Sequence, residues 1–290
     1  MTDTLPRVHI HTSSPDAFFV NSFIIEGVRS LVLVDTQFVL SEANQVAEMI
    51  AALQKPLAAI LITHPHPDHY NGLASILEKH AGTQVYATAG TIEGIRETAE
   101  NKRAYWTPII GANYPQRFAI PDVTVRDGEH LSIDGVELVV DDLGPTECSD
   151  NTAIELPQID AVIISDLVYN RVHPWLAEGR SDPWLKALAK ANRCFASATV
   201  LYAGHGAAGS SSIISEQAAY INAVREIVAS AVKEDPELSD ASRAAIQRRV
   251  RATYKDWPLE MIIDMNTTSL AGETRSQAWK PTPAVSHSPL

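Results

Sequence analysis

Long apolar runs and paired cysteines are both missing from this 290-residue sequence. No stretch of about 18 apolar residues occurs, which excludes a transmembrane helix, and residues 1–7 lack the apolar core of a signal peptide. Only two cysteines are present, Cys148 and Cys194, so a disulfide framework is not expected. A reducing, cytoplasmic environment is the simplest expectation.

Basic residues are also scarce. The chain has 23 Lys and Arg residues against 35 Asp and Glu residues, which gives a net charge of −12 at pH 7. A nucleic acid or an anionic membrane would need a dense basic face, and the densest basic run, residues 248–251, is typical of the solvated side of a helix. We therefore expect a small-molecule substrate, with neither nucleic acid nor a membrane as partner.

The first part of the chain alternates between strand-like and helix-like patterns, without an internal repeat. Residues 17–25 and 30–35 are apolar or β-branched, and the turn composition of Glu26-Gly27 between them predicts a hairpin. The continuous apolar run from residue 57 to residue 63 is typical of a strand that is buried on both faces.

Beyond Gly209 the apolar residues recur at helical spacing. We expect one domain over residues 1–270, in which residues from about 210 to 265 form a helical appendage. The last segment, residues 271–290, is rich in proline and is expected to be poorly ordered.

The most informative segment follows the apolar run directly. Four metal-ligand side chains are packed within it, at His64, His66, Asp68 and His69. Three imidazoles and a carboxylate at this spacing suit borderline metals such as zinc. The intervening Pro65 and Pro67 restrict the backbone, which limits the entropy lost when the side chains converge on an ion.

This H-x-H-x-D-H pattern resembles the signature of the metallo-β-lactamase superfamily. The resemblance covers roughly residues 17–207 and implies an α/β fold, an αββα sandwich with a metal site between its sheets. Three residues outside the motif extend the resemblance. Asp35 is similar to the family's structural Asp, Asp166 to its metal-bridging Asp, and His205 to its last His ligand.

One position departs from the family pattern. The segment that normally supplies a third His ligand to the first metal reads Gly144-Pro145-Thr146-Glu147-Cys148 here, which places Glu147 where the His is expected. A carboxylate oxygen binds zinc at about 2.0–2.2 Å, and an oxygen ligand favours manganese or iron more than a nitrogen does. Glu147 is thus either a metal ligand or a solvated turn residue. The adjacent Cys148 is interpreted as a buried structural cysteine.

The resemblance also implies a ligand set and a reaction. One divalent metal ion would be held by His64, His66 and Glu147. The other would be held by Asp68, His69 and His205, with Asp166 as the bridge. Zinc is the expected metal, with manganese or iron as alternatives. Two such ions would present hydroxide as a nucleophile, and Asp68 would pass a proton to the leaving group.

Aromatic and polar side chains near these residues are candidates for substrate binding. Four of them follow Asp166 in sequence, namely Tyr169, Asn170, His173 and Trp175. A fifth, Trp106, lies in a Gly/Pro-rich stretch. Packing in the core is the competing interpretation for the aromatic residues.

Hydrolysis of an ester, lactone or thioester at its carbonyl is the function that these features favour. The net charge opposes the family's nuclease branches, and the secreted β-lactamases need an export signal. Two alternatives stay open: a binding or regulatory protein in which Glu147 has weakened catalysis, and a dioxygenase with a single iron. A homodimer is expected from general frequencies alone.

Overall fold

The computed structural model describes residues 5–276 of the chain. The strands are β1 (Arg7–Thr12), β2 (Asn21–Glu26), β3 (Leu31–Val34), β4 (Leu57–Leu61), β5 (Gln84–Thr88), β6 (Val123–Val125), β7 (Glu129–Ile133), β8 (Val136–Asp142), β9 (Thr152–Leu156), β10 (Ala161–Asn170) and β11 (Val200–Gly206). The α-helices are α1 (Leu40–Ala52), α2 (Pro67–Tyr70), α3 (Leu73–Lys79), α4 (Ala89–Ile110), α5 (Ser181–Cys194), α6 (Ser212–Glu234), α7 (Asp240–Thr253) and α8 (Ile263–Arg275). None of the helices within residues 5–276 is both long and apolar enough to cross a membrane.

The strands form two sheets. The first has the order β1-β2-β3-β4-β5-β6, and the second has the order β11-β10-β9-β8-β7. β2 and β3 form the predicted hairpin, in which Phe23 lies opposite Val34. From β3 to β6 the strands are parallel, so their carboxyl ends meet at one edge of the sheet, the edge at which α/β folds commonly place their ligands.

Alternate residues of each buried strand belong to different cores. In β3, Leu31 and Leu33 pack against residues of α1, α3 and α4, whereas Val32 and Val34 face the second sheet. A strand covered on both faces needs an apolar residue at every position, which explains the continuous apolar runs in the sequence. The outer face of the second sheet packs against α5 and α6. The predicted αββα arrangement is therefore confirmed.

The C-terminal helices extend further than predicted. The expected appendage corresponds to α6, α7 and the first part of α8, but α8 continues to Arg275. The prediction of a poorly ordered tail from residue 271 is thus wrong for residues 271–275, because Leu270 and Ala271 are buried against the other helices of the appendage. Residues 277–290 lie outside the described part of the chain.

The helix α4 extends into the Gly/Pro-rich stretch that contains Trp106. It runs from Ala89 to Ile110 and includes Pro108 in its last turn. The Thr88 side chain caps its start by accepting a hydrogen bond from the Thr91 backbone N–H. Tyr105 and Trp106 therefore lie on a regular helix.

A side-chain bridge joins the two sheets at their shared edge. The amide of Asn21, the first residue of β2, donates hydrogen bonds to the carbonyl oxygens of Ala203 (2.9 Å) and Gly206 (2.7 Å) on β11. The neighbouring Val20 forms an isolated β-bridge with His205. The end of β11 is thereby fixed against the first sheet.

Candidate metal centre

The His-rich segment connects β4 to α2 at the carboxyl edge of the first sheet. Pro67 is the first residue of α2, where its missing N–H costs nothing, and His66 precedes it in an extended conformation. His64 and His69 are fully buried. The turn from strand to helix therefore holds the imidazoles close together, with the His64 and His69 ring centroids 4.0 Å apart.

One cluster of potential ligand atoms comes from His64, His66, Glu147 and Cys148, all within 4.8 Å of one another. The Glu147 Oε1 atom lies 3.6 Å from His64 Nε2 and 3.8 Å from His66 Nδ1. Zn–N and Zn–O bonds of about 2.0–2.2 Å separate ligand atoms on one ion by roughly 3.3–3.6 Å, so these distances suit a shared cation. Glu147 is 1% exposed, and its interpretation as a solvated turn residue is wrong.

A second cluster is formed by Asp68, His69 and His205. The Asp68 Oδ2 atom is 3.4 Å from His205 Nε2 and 3.7 Å from His69 Nε2. Asp166 lies between the clusters: its carboxylate oxygens are 3.3 Å from the Nε2 atoms of His69 and His205, and 3.7 Å from His64 Nε2. The structure thus brings together all seven residues proposed as metal ligands.

Several polar atoms in this group have no hydrogen-bond partner although they are buried. Within the described residues they include the Nε2 atoms of His64, His69 and His205, and Asp166 Oδ1. A buried polar atom without a partner costs free energy, and these four atoms face one another. Bound divalent cations would satisfy these atoms, so the residues present fit the metal ions that the fold implies.

The Nδ1 atoms of His69 and His205 each lie beside a hydrogen-bond acceptor. His69 Nδ1 lies 2.8 Å from Asp35 Oδ2, and His205 Nδ1 lies 2.7 Å from the carbonyl oxygen of Phe18. A carboxylate and a carbonyl can only accept, so each Nδ1–H donates and each Nε2 faces the cluster, an arrangement typical of metal-binding histidines. Asp35 also accepts from the Thr63 backbone N–H and hydroxyl, which fixes the start of the His-rich segment.

The concentration of charge in a buried space shifts the ionisation of these groups. Burial, together with the nearby negative charge of Asp166, raises the pKa of Glu147 to about 7. Burial opposes the charged form of His205, but the Asp166 and Asp68 carboxylates outweigh it and raise the pKa of His205 to about 10. Burial likewise opposes the charged form of His69, but Asp166, Asp35 and Asp68 raise the pKa of His69 as well. Without a metal, the two imidazolium groups therefore offset the charges of Asp68 and Asp166.

The backbone around Asp166 is irregular, and this irregularity places its side chain. The parallel pairing of β10 with β11 shifts register on both sides of Ser165, which has a positive φ of 49°. Such bulges redirect side chains near functional sites. On β11, a Cβ atom at Gly204 would lie 1.8 Å from Asp166 Oδ1, so only glycine leaves room for the Asp166 carboxylate.

Tyr169 lies on the same strand as Asp166 and contacts both Asp166 and His205 of the second cluster. Its hydroxyl donates a hydrogen bond to Asp166 Oδ2, and its ring stacks on the imidazole of His205. The Tyr169 side chain therefore fixes the orientation of two proposed ligands.

A cavity of about 380 Å³ opens directly above the clusters. Its walls include three of the proposed ligands (His66, Asp68 and His205), the aromatic side chains of Phe18, Phe38, Tyr105, Trp106, Tyr169 and Trp175, the charged residues Lys102 and Glu178, and Leu259, Met261, Ile262 and Met265 from the C-terminal appendage. The appendage thus covers the candidate site of its own chain. The predicted substrate residues Tyr169, Trp175 and Trp106 do line this cavity.

Two other predicted substrate residues, Asn170 and His173, are not part of the cavity wall. The amide of Asn170 donates instead to the carbonyl oxygen of Ala207. His173 is fully buried, its Nδ1 lies 2.7 Å from the Tyr220 hydroxyl, and its backbone N–H donates to the Pro258 carbonyl. Each residue therefore holds a loop in place outside the cavity wall, and substrate contact by either residue stays a prediction.

The structure also reveals site residues that the sequence did not point out. Glu178 lies 2.9 Å from His66 Nε2 through its Oε1 atom, and nothing in its sequence surroundings indicates this contact. Lys102 was missed as well, although its spacing from Tyr105 and Trp106 puts the three on one face of a helix. Cys148 was predicted to be buried and structural; it is buried, but its sulfur belongs to the first cluster.

Comparison with known proteins identifies a family. The model of the metallo-beta-lactamase superfamily matches residues 15–205. This match covers all seven proposed ligands and ends at His205, before the C-terminal helices begin.

Two curated proteins are similar in sequence. The alkyl/aryl-sulfatase BDS1 of Saccharomyces cerevisiae is 26% identical over 223 residues, which are 64% of this chain and 34% of that protein. The chain therefore spans about a third of the length of this relative. The metallo-beta-lactamase IND-1 of Chryseobacterium indologenes is 26% identical over 195 residues, 65% of this chain and 72% of that protein.

A solved structure has the same fold over nearly the whole chain. A metallo-beta-lactamase family protein from Thermus thermophilus superposes with a TM-score of 0.67 at 20% identity, and the match covers 95% of this chain and 96% of that one. The shared fold therefore extends into the C-terminal helices.

Proposed function

The chain belongs to the metallo-β-lactamase superfamily, and on this basis we propose that it is a metal-dependent hydrolase that cleaves an ester, lactone or thioester at its carbonyl carbon. The observation that carries the proposal is the position of the two ligand clusters, joined through Asp166, at the floor of a largely apolar cavity. A cavity of this size and lining suits a small, partly apolar substrate.

Seven residues would hold the metal ions. His64, His66 and Glu147 would hold one and Asp68, His69 and His205 the other, with Asp166 between them; zinc suits these nitrogen and oxygen donors. When bound, such cations supply Lewis acidity, which polarises a scissile bond and makes water a stronger nucleophile near neutral pH.

Protein side chains supply the remaining requirements. Asp68 lies at the cavity wall, and the His69 and His205 imidazoles outweigh burial and hold its pKa well below the usual range. It is therefore a carboxylate that can accept a proton and pass it to a departing oxygen or sulfur. The aromatic and aliphatic walls bind the apolar part of the substrate and displace water from the reacting bond.

Hydrolysis of a sulfate ester is a second candidate. The sequence match to the yeast alkyl/aryl-sulfatase favours it. The largely apolar cavity would hold the organic group of such an ester. The two candidates differ in the atom attacked, so a substrate panel separates them.

The test combines metal analysis with a panel of aryl and alkyl carboxylic esters, lactones, thioesters and sulfate esters. We expect bound divalent metal and hydrolysis that is lost after chelation and restored by zinc or manganese. His64→Ala should abolish activity, whereas His130→Ala, an exposed histidine on β7, should not. Full activity of metal-free protein would refute the proposal, oxygen uptake with one bound iron would support the dioxygenase, and a silent protein with little metal would support a binding role.

A further inference from the structure

Lys102 lies in the cavity wall beside the metal centre. It stands on α4, one helical turn before Tyr105 and Trp106, which line the same cavity. Its ammonium donates a hydrogen bond of 2.9 Å to the carbonyl oxygen of Pro65 in the His-rich segment. This contact brings a positive charge next to the proposed metal ligands, in a cavity whose other walls are mainly apolar.

The acids of the same cavity direct their oxygens elsewhere. Glu178 is paired with His66 Nε2 (2.9 Å) and with Arg180 Nε (3.5 Å), and Asp68 lies against His69 and His205. Among the ion pairs of residues 5–276, none includes Lys102. An ammonium has three protons to donate, and the hydrogen bond to Pro65 uses one.

The charge and partial burial of the Lys102 ammonium favour an anionic partner. Burial lowers the pKa of Lys102, partly against the attraction of Glu178 and other acids. Lys102 is partly buried, and a cation that is partly removed from water is stabilised by an anion with which it can form a charge-assisted hydrogen bond. The substrate that occupies the cavity is well placed to supply that anion.

We propose that Lys102 is a specificity-determining residue that binds an anionic group of the substrate, while the apolar part of the substrate lies against Met261 and Met265. The inference rests on the proposed hydrolase function and narrows its substrates to amphiphilic anions. The anion is either a carboxylate apart from the scissile bond or the sulfate of a sulfate ester, and both accept hydrogen bonds from an ammonium.

The role of Lys102 can be tested by measuring how compounds without an ester bond bind to the metal-loaded protein. Calorimetry would compare hexanoate with hexanamide, which has the same chain without the charge, for the wild type, Lys102→Met and Lys102→Arg. We expect Lys102→Met to weaken hexanoate about tenfold and to leave hexanamide unchanged, while Lys102→Arg keeps most of the affinity. Lys190→Met is the matched control, because Lys190 also donates to a backbone carbonyl, that of Asp142, but is exposed and does not line the cavity.

Two results would overturn the inference. If Lys102 only holds the Pro65 carbonyl, Lys102→Met weakens both compounds equally and lowers the metal content. If the carboxylate instead binds at the metals alone, Lys102→Met leaves hexanoate affinity intact. Hexyl sulfate distinguishes the two anions. If its hydrolysis depends on Lys102, the inference is supported with the sulfate of the substrate as the anion. If it binds in a Lys102-dependent way but is not hydrolysed, the inference is supported with an anion apart from the scissile bond.

The proposed function has a separate outcome. A protein that hydrolyses neutral esters but shows no Lys102-dependent anion binding refutes this inference and leaves the hydrolase proposal intact. Conversely, Lys102-dependent binding without hydrolysis of any ester refutes the hydrolase proposal alone.

Discussion

The ring of Tyr169 lies parallel to the imidazole of His205, with the ring centroids 4.5 Å apart and the planes 4° apart. The hydroxyl at the far end of the same ring donates a hydrogen bond to Asp166. One side chain therefore orients a proposed ligand of the second cluster and the carboxylate between the two clusters.

Replacement of Tyr169 by Phe separates these two contacts. Tyr169→Phe keeps the stacked ring and loses the hydrogen bond, and we expect metal affinity to fall about tenfold, as for other hydrogen bonds that support ligands. Tyr169→Ala should reduce it further. Competition with a chromophoric chelator measures the affinity. Tyr86→Phe is the control, because the Tyr86 hydroxyl bonds to Gln84 at the surface; an equal loss in this control would contradict the prediction.

Asp35 orients His69 without facing the proposed metal position. Its Oδ2 accepts from His69 Nδ1 at 2.8 Å, and an amide in its place would present either a weaker acceptor or a donor. We expect Asp35→Asn to lower metal affinity about 10–100-fold, with equilibrium dialysis as the measurement. Asp134→Asn, which affects only an exposed pair with Arg29, should leave it unchanged. Unaltered affinity in Asp35→Asn would show that His69 needs no such partner.

Metal binding should strengthen with rising pH. The pKa of Glu147 is about 7 and that of His205 about 10 in the metal-free protein, so both groups hold a proton at pH values below these. A metal ion binds the deprotonated forms and must displace those protons. Affinity should therefore rise as pH increases through both values. Calorimetry in two buffers of different ionisation enthalpy should detect proton release near neutral pH, and its absence would contradict the assignment of His205 as a ligand.

Gly204 is expected to tolerate no side chain. A Cβ atom there would meet Asp166 Oδ1 at 1.8 Å and the Asp166 backbone nitrogen at 2.9 Å. We expect Gly204→Ala to lower the free energy of unfolding by about 1–3 kcal/mol and to reduce metal content, as measured by denaturant titration and elemental analysis. Gly272→Ala in α8 has nothing within 4 Å of the new atom and should be neutral or slightly stabilising. Similar effects of both changes would refute the steric explanation.

The appendage should influence substrate choice. Met261 and Met265 are 67% and 41% exposed but line the cavity. Because each CH₂ group removed from water contributes about 0.8 kcal/mol, Met261→Ser with Met265→Ser should raise KM for long-chain esters and leave kcat for the shortest ester unchanged. Val28→Ser, in the exposed turn between β2 and β3, is the control. An equal loss for short and long esters would indicate damage to the metal centre instead.

The layered fold could be predicted because its signals are local. The apolar runs of β3 and β4, the turn at Glu26-Gly27 and the helical spacing of the appendage each lie within one segment. The predicted ends of helices and strands were less accurate. The tail, for example, was expected to begin at residue 271, but α8 continues to Arg275.

The two clusters of the candidate metal centre could also be predicted, since the proposed ligands carry distinctive chemistry at recognisable spacings. Only part of the cavity wall could be predicted: Tyr169, Trp175 and Trp106 line it as expected, whereas the rest depends on contacts between distant segments. Glu178 and Met261 have no motif and reach the site only through tertiary packing. His173 follows Asp166 closely in sequence, yet the turn of the chain directs its side chain into the aromatic packing of the appendage, away from the cavity wall.

The hydrogen bonds from Asn21 to Ala203 and Gly206 connect residues 182 and 185 positions apart in the chain. Contacts of such high sequence separation carry a large loop-closure entropy and form late in folding. His205 is adjacent to this junction, so the second ligand cluster is complete only after the amino-terminal hairpin and the last strand have met. Metal uptake during refolding should therefore lag behind the recovery of helical and strand signals, which makes the bound ion a reporter of the final step of assembly.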